Sequence, residues 1–403
     1  MTNLPQGWEV KTLSEIGEIV TGSTPSKSNL DFYGKDYPFF KPSDFEQGYF
    51  LENAGDNLSK LGFGKARQLP PKTILVVCIG SLGKVALTKV IGSCNQQINA
   101  IIPYKNIISE YIYYYCISSK FQSILFSKAP QTTLAILNKT EFSKLEIIYP
   151  KDIKEQERIV GILDFAFSKI DENIKKAKEN LANIDELMQS ALQKAFNPLN
   201  DNTKENYQLP QSWEWKSLGD TSNYGKTSQV KPSQLKGNDW ILELEDIEKE
   251  SGVLLQKVLF QDRQSKSNKI KFNKGDILFG TLRPYLKKVI IADDNGACSS
   301  EIMPFSTGNS ITNHFIYYYL FANFLHDRIS SLTYGARMPR LGTKDGKSLQ
   351  IPLPPLQEQE QIAEHLDFVF EKAKALKELY TKELKDYEEL KQSLLDKAFK
   401  GEL

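Results

Sequence analysis

The chain has 403 residues, of which 40% are hydrophobic and 25% are charged, and its formal net charge at pH 7 is +1. This length accommodates two or three domains, and the composition excludes a wholly disordered chain. The four cysteines fit no metal or redox spacing, the first residues carry no basic or apolar stretch, and no apolar run reaches membrane-spanning length. A cytoplasmic protein with reduced core cysteines and no metal site is therefore expected.

The first block of the chain, residues 1–150, has mixed α and β character. Short β-branched or aromatic runs, bounded by Gly, Pro, Asn and Asp, alternate with a few short helical stretches. The apolar run 74–79 predicts a buried strand, and the run 112–115 predicts a buried helix.

Residues 151–197 carry an uninterrupted helical pattern. Apolar or small residues recur in steps of four and three, with one four-four stutter, which is typical of a coiled coil. The predicted seam consists of Ile159, Leu163, Ala166, Ile170, Ile174, Ala177, Leu181, Ile184, Met188, Ala191 and Ala195. A helix of this length needs a partner along its length.

A polar linker at 198–208 leads to a second block, residues 209–352, which repeats the first. The stretch 4–13 recurs at 209–218, and the aromatic run 112–115 recurs at 316–319. The two blocks agree in these core-like runs and diverge between them. This pattern indicates one scaffold that carries two different recognition surfaces.

Residues 353–403 repeat the first helix and supply its partner. The run 163–167 recurs at 366–370, and Lys194-Ala195-Phe196 recurs as Lys397-Ala398-Phe399. The predicted seam consists of Ile362, Leu366, Val369, Ala373, Leu376, Tyr380, Leu384, Tyr387, Leu390 and Leu394. Two seams in one chain are expected to bury each other in an antiparallel coiled coil.

Positive charge is concentrated in the two blocks. Residues 1–150 and 209–352 carry net charges of +3 and +4, whereas 151–208 and 353–403 carry −2 and −4. The excess is modest, so a nucleic-acid complex would need basic residues from partner chains as well.

Polar loops that carry Lys, Arg, Asn, Gln and Ser among glycines and aromatics are the candidates for DNA contact. In the first block they supply Thr24, Lys27, Ser28, Asn29, Lys41, Ser81, Lys84, Asn95, Gln96 and Gln97. In the second block they supply Lys226, Thr227, Arg283, Tyr285, Ser299, Ser300, Arg337 and Arg340. A plain solvated turn explains any one of these loops equally well. The three arginines stand out, because Arg can form a bidentate contact with guanine.

No motif for catalysis or cofactor binding is recognisable. The three histidines, His314, His326 and His365, lie on or beside helical patterns and fit structural roles better than catalytic ones. Neither an Asn-Pro-Pro-aromatic methyltransferase motif nor a Gly-rich adenosylmethionine loop is present. Acidic and Lys residues are abundant, so their spacing alone does not exclude a nuclease, although none of them cluster convincingly, and no cofactor is expected.

The chain resembles the specificity subunit of type I restriction–modification systems. The resemblance rests on the Leu-Pro-x-x-Trp-Glu openings at 4–9 and 209–214, on the paired blocks, and on the helix starts. The most specific match is Pro-Pro-Leu-Gln-Glu-Gln-Glu-Gln-Ile at 354–362, whereas the first copy, at 150–156, lacks the Pro-Pro pair and keeps Glu-Gln.

The resemblance covers the whole chain and implies an α+β fold and a non-catalytic subunit of a methyltransferase/endonuclease complex. Two similar target-recognition domains, 1–150 and 209–352, would be separated by two long helices, 151–197 and 353–403, that form the antiparallel coiled coil. Each domain would read one half of a bipartite, asymmetric double-stranded DNA target, and the coiled coil would set the spacer. The partners would be two methyltransferase (M) subunits and, through them, motor–nuclease (R) subunits. The candidates for docking the M subunits are the helix starts, at Glu155, Gln156, Glu358 and Gln359, together with the exposed faces of the coiled coil.

Two other classes stay open on the residues alone. A fused methyltransferase or nuclease would need the cofactor motifs that are missing. A stand-alone DNA-binding or scaffold protein with two duplicated domains would fit the repeat as well, and a methyltransferase gene beside this one would discriminate against it.

Overall fold

The computed structural model describes residues 4–129, 135–201, 207–263 and 265–403. The chain divides into two compact units: unit 1 comprises Met1–Ala177 with Lys382–Leu403, and unit 2 comprises Lys178–Thr381. The predicted linker 198–208 lies partly outside the described residues, because 202–206 are not among them.

The strands and helices of unit 1 are short up to its long helix. The strands are β1 (Trp8–Thr12), β2 (Gly17–Thr21), β3 (Tyr33–Phe40), β4 (Phe50–Leu51), β5 (Asn57–Leu58), β6 (Ile74–Val77), β7 (Val85–Thr88), β8 (Ser93–Cys94), β9 (Ile98–Pro103) and β10 (Glu146–Pro150). The helices are α1 (Leu13–Ile16), α2 (Lys60–Phe63), α3 (Ser109–Ile117), α4 (Ser119–Lys128), α5 (Lys139–Ser143) and α6 (Ile153–Phe196).

Unit 1 is built around a five-stranded sheet in the order β2-β9-β6-β7-β4. A second sheet, β5-β3-β8, contains the parallel pair of β3 with β8, and β1 pairs antiparallel with β10. The predicted strand at 74–79 is the central β6, whose four residues are all buried. The predicted aromatic helix is α3, which buries Tyr111, Tyr114 and Tyr115.

Unit 2 repeats this order, with three strands in place of five in one sheet and four in place of three in the other. Its strands are β11 (Glu214–Ser217), β12 (Gln229–Val230), β13 (Trp240–Leu242), β14 (Lys269–Phe272), β15 (Ile277–Gly280), β16 (Val289–Ile291), β17 (Gly296–Cys298), β18 (Ile302–Phe305), β19 (Thr333–Tyr334), β20 (Arg340–Leu341) and β21 (Gln350–Leu353). Its helices are α7 (Leu218–Thr221), α8 (Phe260–Arg263), α9 (Asn313–Tyr319), α10 (Asn323–Leu332), α11 (Thr343–Lys347) and α12 (Leu356–Ala398).

The strand pairings of the two units correspond. β16-β15-β18 matches β7-β6-β9, the parallel pair β13 with β17 matches β3 with β8, and β11 with β21 matches β1 with β10. Equivalent residues lie 202 to 205 positions apart. The internal repeat predicted from the sequence is therefore a repeat of structure.

The two long helices, α6 and α12, pair antiparallel in each unit. In unit 1, Asp171 of α6 forms an ion pair with Lys391 of α12. In unit 2, Asp185 of α6 is paired with Lys377, and Asn180 donates to the Tyr380 hydroxyl at 3.1 Å. Within each unit, later positions on one helix thus meet earlier positions on the other. The predicted antiparallel coiled coil is confirmed.

The predicted seam of α12 is wrong at two positions. Leu376 and Leu390 are 42% and 45% exposed, although the pattern placed both in the seam. Their neighbours Lys377 and Lys391 face the partner helix instead, and each pairs its ammonium with an aspartate of α6. A binary apolar pattern cannot recognise a lysine in this role.

Candidate DNA interface

The polar loops of unit 1 meet at the end of its parallel strand pair. The Gly22 amide donates to Ile98 O and the Ser23 amide donates to Cys94 O, both at 3.0 Å. Gly22 permits this approach, because a Cβ on it would lie 2.1 Å from Asn95 O. The loop that carries Thr24 is thereby fixed against the loop that carries Gln96, and the Thr24 hydroxyl donates to the Gln96 side chain.

Two further loops join the same edge. The Asn95 amide donates to Phe40 O at 3.1 Å, which places Lys41 beside this loop, and the Cys78 amide donates to Gln97 O at 2.8 Å. Loop 79–84, with Ser81 and Lys84 exposed, follows directly from Cys78. We call the surface formed by loops 22–29, 41–47, 79–84 and 94–97 edge 1.

Not every predicted residue of edge 1 is free to contact DNA. Asn95 is 7% exposed, and its side chain bonds Gln97 through both the amide nitrogen and the carbonyl oxygen. Asn29 caps a 3-10 turn by accepting from Asp31 N at 3.1 Å. Lys41 is paired with Asp56, and Lys84 lies 3.8 Å from Glu46. The exposed side chains of Lys27, Ser28, Ser81 and Gln96 are better placed.

The corresponding loops of unit 2 converge in the same way. The Thr281 amide donates to Glu301 O at 2.8 Å, and the Arg283 amide donates to Pro339 O at 2.7 Å. An isolated bridge joins Leu282 to Arg340. Loop 281–287, loop 299–301 and the hairpin of β19 and β20 therefore form one surface, which we call edge 2.

Edge 2 gathers the arginines that the sequence singled out. Arg283 and Arg337 are exposed, Tyr285 is 50% exposed, and Arg340 is half-buried in β20. Ser300 is exposed, whereas Ser299 is half-buried and its Oγ has no hydrogen-bond partner in the part of the chain that the structure describes.

Lys226 and Thr227 lie beside the start of α11. This helix follows the hairpin of edge 2 directly in the chain. Both residues are exposed. The preceding Gly225 packs so closely that a Cβ on it would lie 2.5 Å from Thr343 Cγ2. This packing brings the loop of Lys226 next to the segment that continues from Arg340.

The helix starts do not offer the docking surface predicted at Gln156 and Gln359. Both glutamines are 0% exposed. Gln156 accepts from Ile108 N at 2.9 Å and donates to Pro150 O at 2.9 Å, and Gln359 accepts from Thr312 N at 2.9 Å. They satisfy buried backbone groups where each long helix joins its unit, which is a correction to the sequence-based expectation. Glu155 and Glu358 are half-buried, and their docking role stays a prediction.

We expect Gln156→Leu to destabilise unit 1, because it leaves the Ile108 amide and the Pro150 carbonyl buried without this partner. Each such group costs about 1–3 kcal/mol, so the midpoint of thermal unfolding should fall by several degrees. Glu157→Gln, on an exposed position of the same helical turn, is the control. Equal midpoints for the two variants in a calorimetric scan would contradict this role.

Sequence reasoning missed several paired or bridged residues of the two units. In unit 2, Asp246 is fully buried and is paired with Arg263, while Lys269 is paired with Glu243 at 3.0 Å. In edge 1, Ile79 forms a bridge with Ile136, as Leu282 does with Arg340. The repeat offset could have identified Ile136 as the counterpart of Arg340.

Two matches to one family model coincide with the repeat. Residues 5–183 and 210–385 each match the type I restriction modification DNA specificity domain. The chain belongs to the type I restriction–modification specificity-subunit family. Each match covers one copy of the repeated strands and the first part of one long helix.

Individual members of this family are similar to parts or all of the chain. The HindI specificity subunit of Haemophilus influenzae is 39% identical over 42% of this chain and 38% of that protein. The MjaIX specificity subunit of Methanocaldococcus jannaschii is 29% identical over 54% and 52%. The chain thus spans about half or less of these two relatives. The EcoDI specificity subunit of Escherichia coli is 23% identical over 99% of this chain and 89% of that protein.

Solved structures share the fold. A chain from a structural study of complex assembly and conformational transition in the type I R-M system superposes with a TM-score of 0.79 at 20% identity, covering 100% of both chains. The HsdS subunit from Thermoanaerobacter tengcongensis superposes with a TM-score of 0.54 at 20% identity, covering 99% of this chain and 98% of that one. Among the described residues, no helix combines the length and apolar character needed to cross a membrane.

Proposed function

We propose that the chain is the non-catalytic DNA-reading subunit of a type I restriction–modification complex. Edge 1 and edge 2 each read one half of a bipartite DNA target. The observation that carries this proposal is the duplication of one loop scaffold with different side chains at equivalent positions of the two edges.

The divergence is clearest beside the parallel strand pairs. Lys41 follows β3 and is paired with Asp56, whereas Glu243 occupies the equivalent position after β13 and is paired with Lys269. Asn95, Gln96 and Gln97 correspond in the same way to Ser299, Ser300 and Glu301. Of these pairs, Gln96 and Ser300 are both exposed, and an amide presents a separate donor and acceptor whereas a hydroxyl presents a single oxygen, so the two half-sites should differ in sequence. The target is therefore non-palindromic.

Mapping methylated bases tests this proposal. The full chain is expressed together with its methyltransferase in a host without related systems, and modified bases are located across the genome. Two different half-sites separated by an unread spacer of fixed length are expected. A continuous or palindromic target would contradict the proposal, and specific methylation that persists without this chain would refute its role.

We expect Arg337→Ala or Arg340→Ala to relax one base position in one half-site only. A bidentate arginine contact contributes about 1–3 kcal/mol of discrimination, so methylation of the mismatched site should rise by about tenfold or more relative to the cognate site. Site mapping of each variant gives this ratio, with Arg328→Ala, on α10, as the comparison. Weakening spread evenly over all sequences would identify a phosphate contact instead.

Partner docking is the second part of the proposal, and we assign it to the outer faces of the long helices. Phe165 of α6 and Phe368 of α12 are equivalent in the repeat and are 70% and 59% exposed. One exposed phenylalanine in each half of the repeat would let two copies of the same partner, the M subunits, bind in the same way. The R subunits would then join the complex through the M subunits. Near-neutral net charge agrees with weak DNA binding by the isolated chain and with tighter binding once these partners are present.

A further inference from the structure

Loop 283–287 of edge 2 has an unusual backbone. Arg283 and Lys287 both adopt the left-handed conformation, with φ of 49° and 46°. The equivalent loop of edge 1 places Gly80 and Gly83 at its positive-φ positions, with φ of 83° and 87°. Side chains with a Cβ disfavour this region, so edge 2 maintains a conformation that edge 1 obtains from glycine.

Lys287 holds one end of this loop from inside unit 2. The residue is 6% exposed, and its Nζ donates to Phe321 O at 3.2 Å and to Asn323 Oδ1. Burial lowers the pKa of Lys287, and the charges of Glu250 and Asp327 oppose that shift. Burial also lowers the pKa of the neighbouring His326 to about 4, so this imidazole is neutral at physiological pH and adds no positive charge beside the ammonium.

Phe321 and Asn323, which accept hydrogen bonds from the Lys287 ammonium, are themselves hydrogen-bonded to α6. Gln189 of α6 donates to Phe321 O at 3.3 Å and accepts from Asn323 N at 3.0 Å. At the other end of the loop, the Arg283 amide donates to Pro339 O at 2.7 Å, which ties it to the hairpin of edge 2. The backbone of the loop is thus held at both ends, at Arg283 and at Lys287. The Arg283 side chain is exposed.

We propose that Lys287 is a positioning residue for DNA reading, whose buried ammonium anchors loop 283–287 and fixes the direction of the Arg283 side chain. This inference rests on the proposed function of edge 2. A guanidinium discriminates between bases only when its two donors meet a base edge in one geometry. Loosening the loop should therefore cost discrimination before it costs overall DNA affinity.

Edge 1 contains the equivalent anchor built from different atoms. Gln122 Nε2 donates to Gly83 O at 2.9 Å and to Cys116 O at 2.6 Å, and Gln122 occupies the position of His326. There the anchor lies on α4 and reaches toward a glycine loop. In edge 2 the anchor is the loop residue Lys287, which reaches Phe321 O and Asn323. The same task is performed twice, which supports a role in reading rather than an accident of packing.

The experiment compares methylation-site maps of the complete complex with Lys287→Met, Arg283→Ala and both together. We expect Lys287→Met to raise methylation of sites mismatched at the Arg283 base position by about tenfold. The double variant should resemble Arg283→Ala alone, because the lysine acts through the arginine. The half-site read by edge 1 should stay unchanged, whereas Gln122→Leu should relax that half-site and leave the other unchanged.

Several outcomes would overturn the inference. These are uniform weakening at every base position, additive effects in the double variant, or unchanged discrimination in Lys287→Met. If Lys287→Met does not fold, Asn323→Ala decides, since it removes one acceptor and should relax the same base position to a smaller extent. No relaxation at that position would reject the anchor. If Arg283→Ala itself changes no base preference, the proposed reading role of loop 283–287 fails instead.

Discussion

Four residues added to each long helix, after Ala177 in α6 and after Thr381 in α12, should lengthen the unread spacer by one or two base pairs. Both helices are divided between the units at these positions, so both must be extended together. Four helical residues add about 6 Å and about 40° beyond a full turn. One base pair adds about 3.4 Å and about 35°. The rise and the rotation therefore change together, and both half-sites should keep their sequences.

Two controls isolate the effect of helix length. The same four residues placed after the exposed Leu199, beyond the end of α6, should leave the spacer unchanged. Insertion into α6 alone should weaken the pairing of α6 with α12. Asp171 and Asp185 can then no longer both face their partners, Lys391 and Lys377. An unchanged spacer in the paired insertion, or altered half-sites, would show that the helices do not set the distance.

The helices and the repeat could be predicted from sequence because their signals are periodic or duplicated. A seam with steps of three and four residues reports one buried helical face, and it led correctly to α6 and α12. Recurring aromatic runs likewise located α3 and α9. These patterns sum many weak preferences over a long stretch, so single exceptions such as Leu376 do not obscure them.

The candidate interface was only partly predictable, because it depends on contacts between residues far apart in sequence. Asn95 and Gln96 are both polar and adjacent, yet the first is buried beneath the loop and the second is exposed. Gln156 and Lys287 are buried, although glutamine and lysine are residue types that usually lie on the surface. Their partners are backbone groups brought together by the fold, and sequence patterns carry no record of backbone hydrogen bonds across such distances.

Phe165→Asp together with Phe368→Asp should abolish stable association with the methyltransferase and, with it, DNA methylation. Each side chain is largely exposed in the chain described here, and burying a phenylalanine at an interface contributes about 1.5–3 kcal/mol. A loss of about 2 kcal/mol corresponds to about a thirtyfold weaker Kd at each docking position. Replacing only one of them should leave one methyltransferase bound, because the repeat supplies one such residue in each half. Mass measurement of the co-purified complex gives this stoichiometry directly.

The same substitutions should leave the fold intact, since neither ring belongs to a buried cluster. Thermal unfolding of the double variant should stay within about 1 kcal/mol of the parent chain, and Leu255→Asp, at a 58% exposed position outside the long helices, is the matched control for an exposed apolar-to-acidic change. Full methyltransferase binding by the double variant would remove the docking assignment and leave the DNA-reading edges unaffected. Loss of binding in the Leu255 control as well would show that added negative charge, rather than the missing ring, weakens the complex. Only loss confined to the phenylalanine variants supports two equivalent docking positions on α6 and α12.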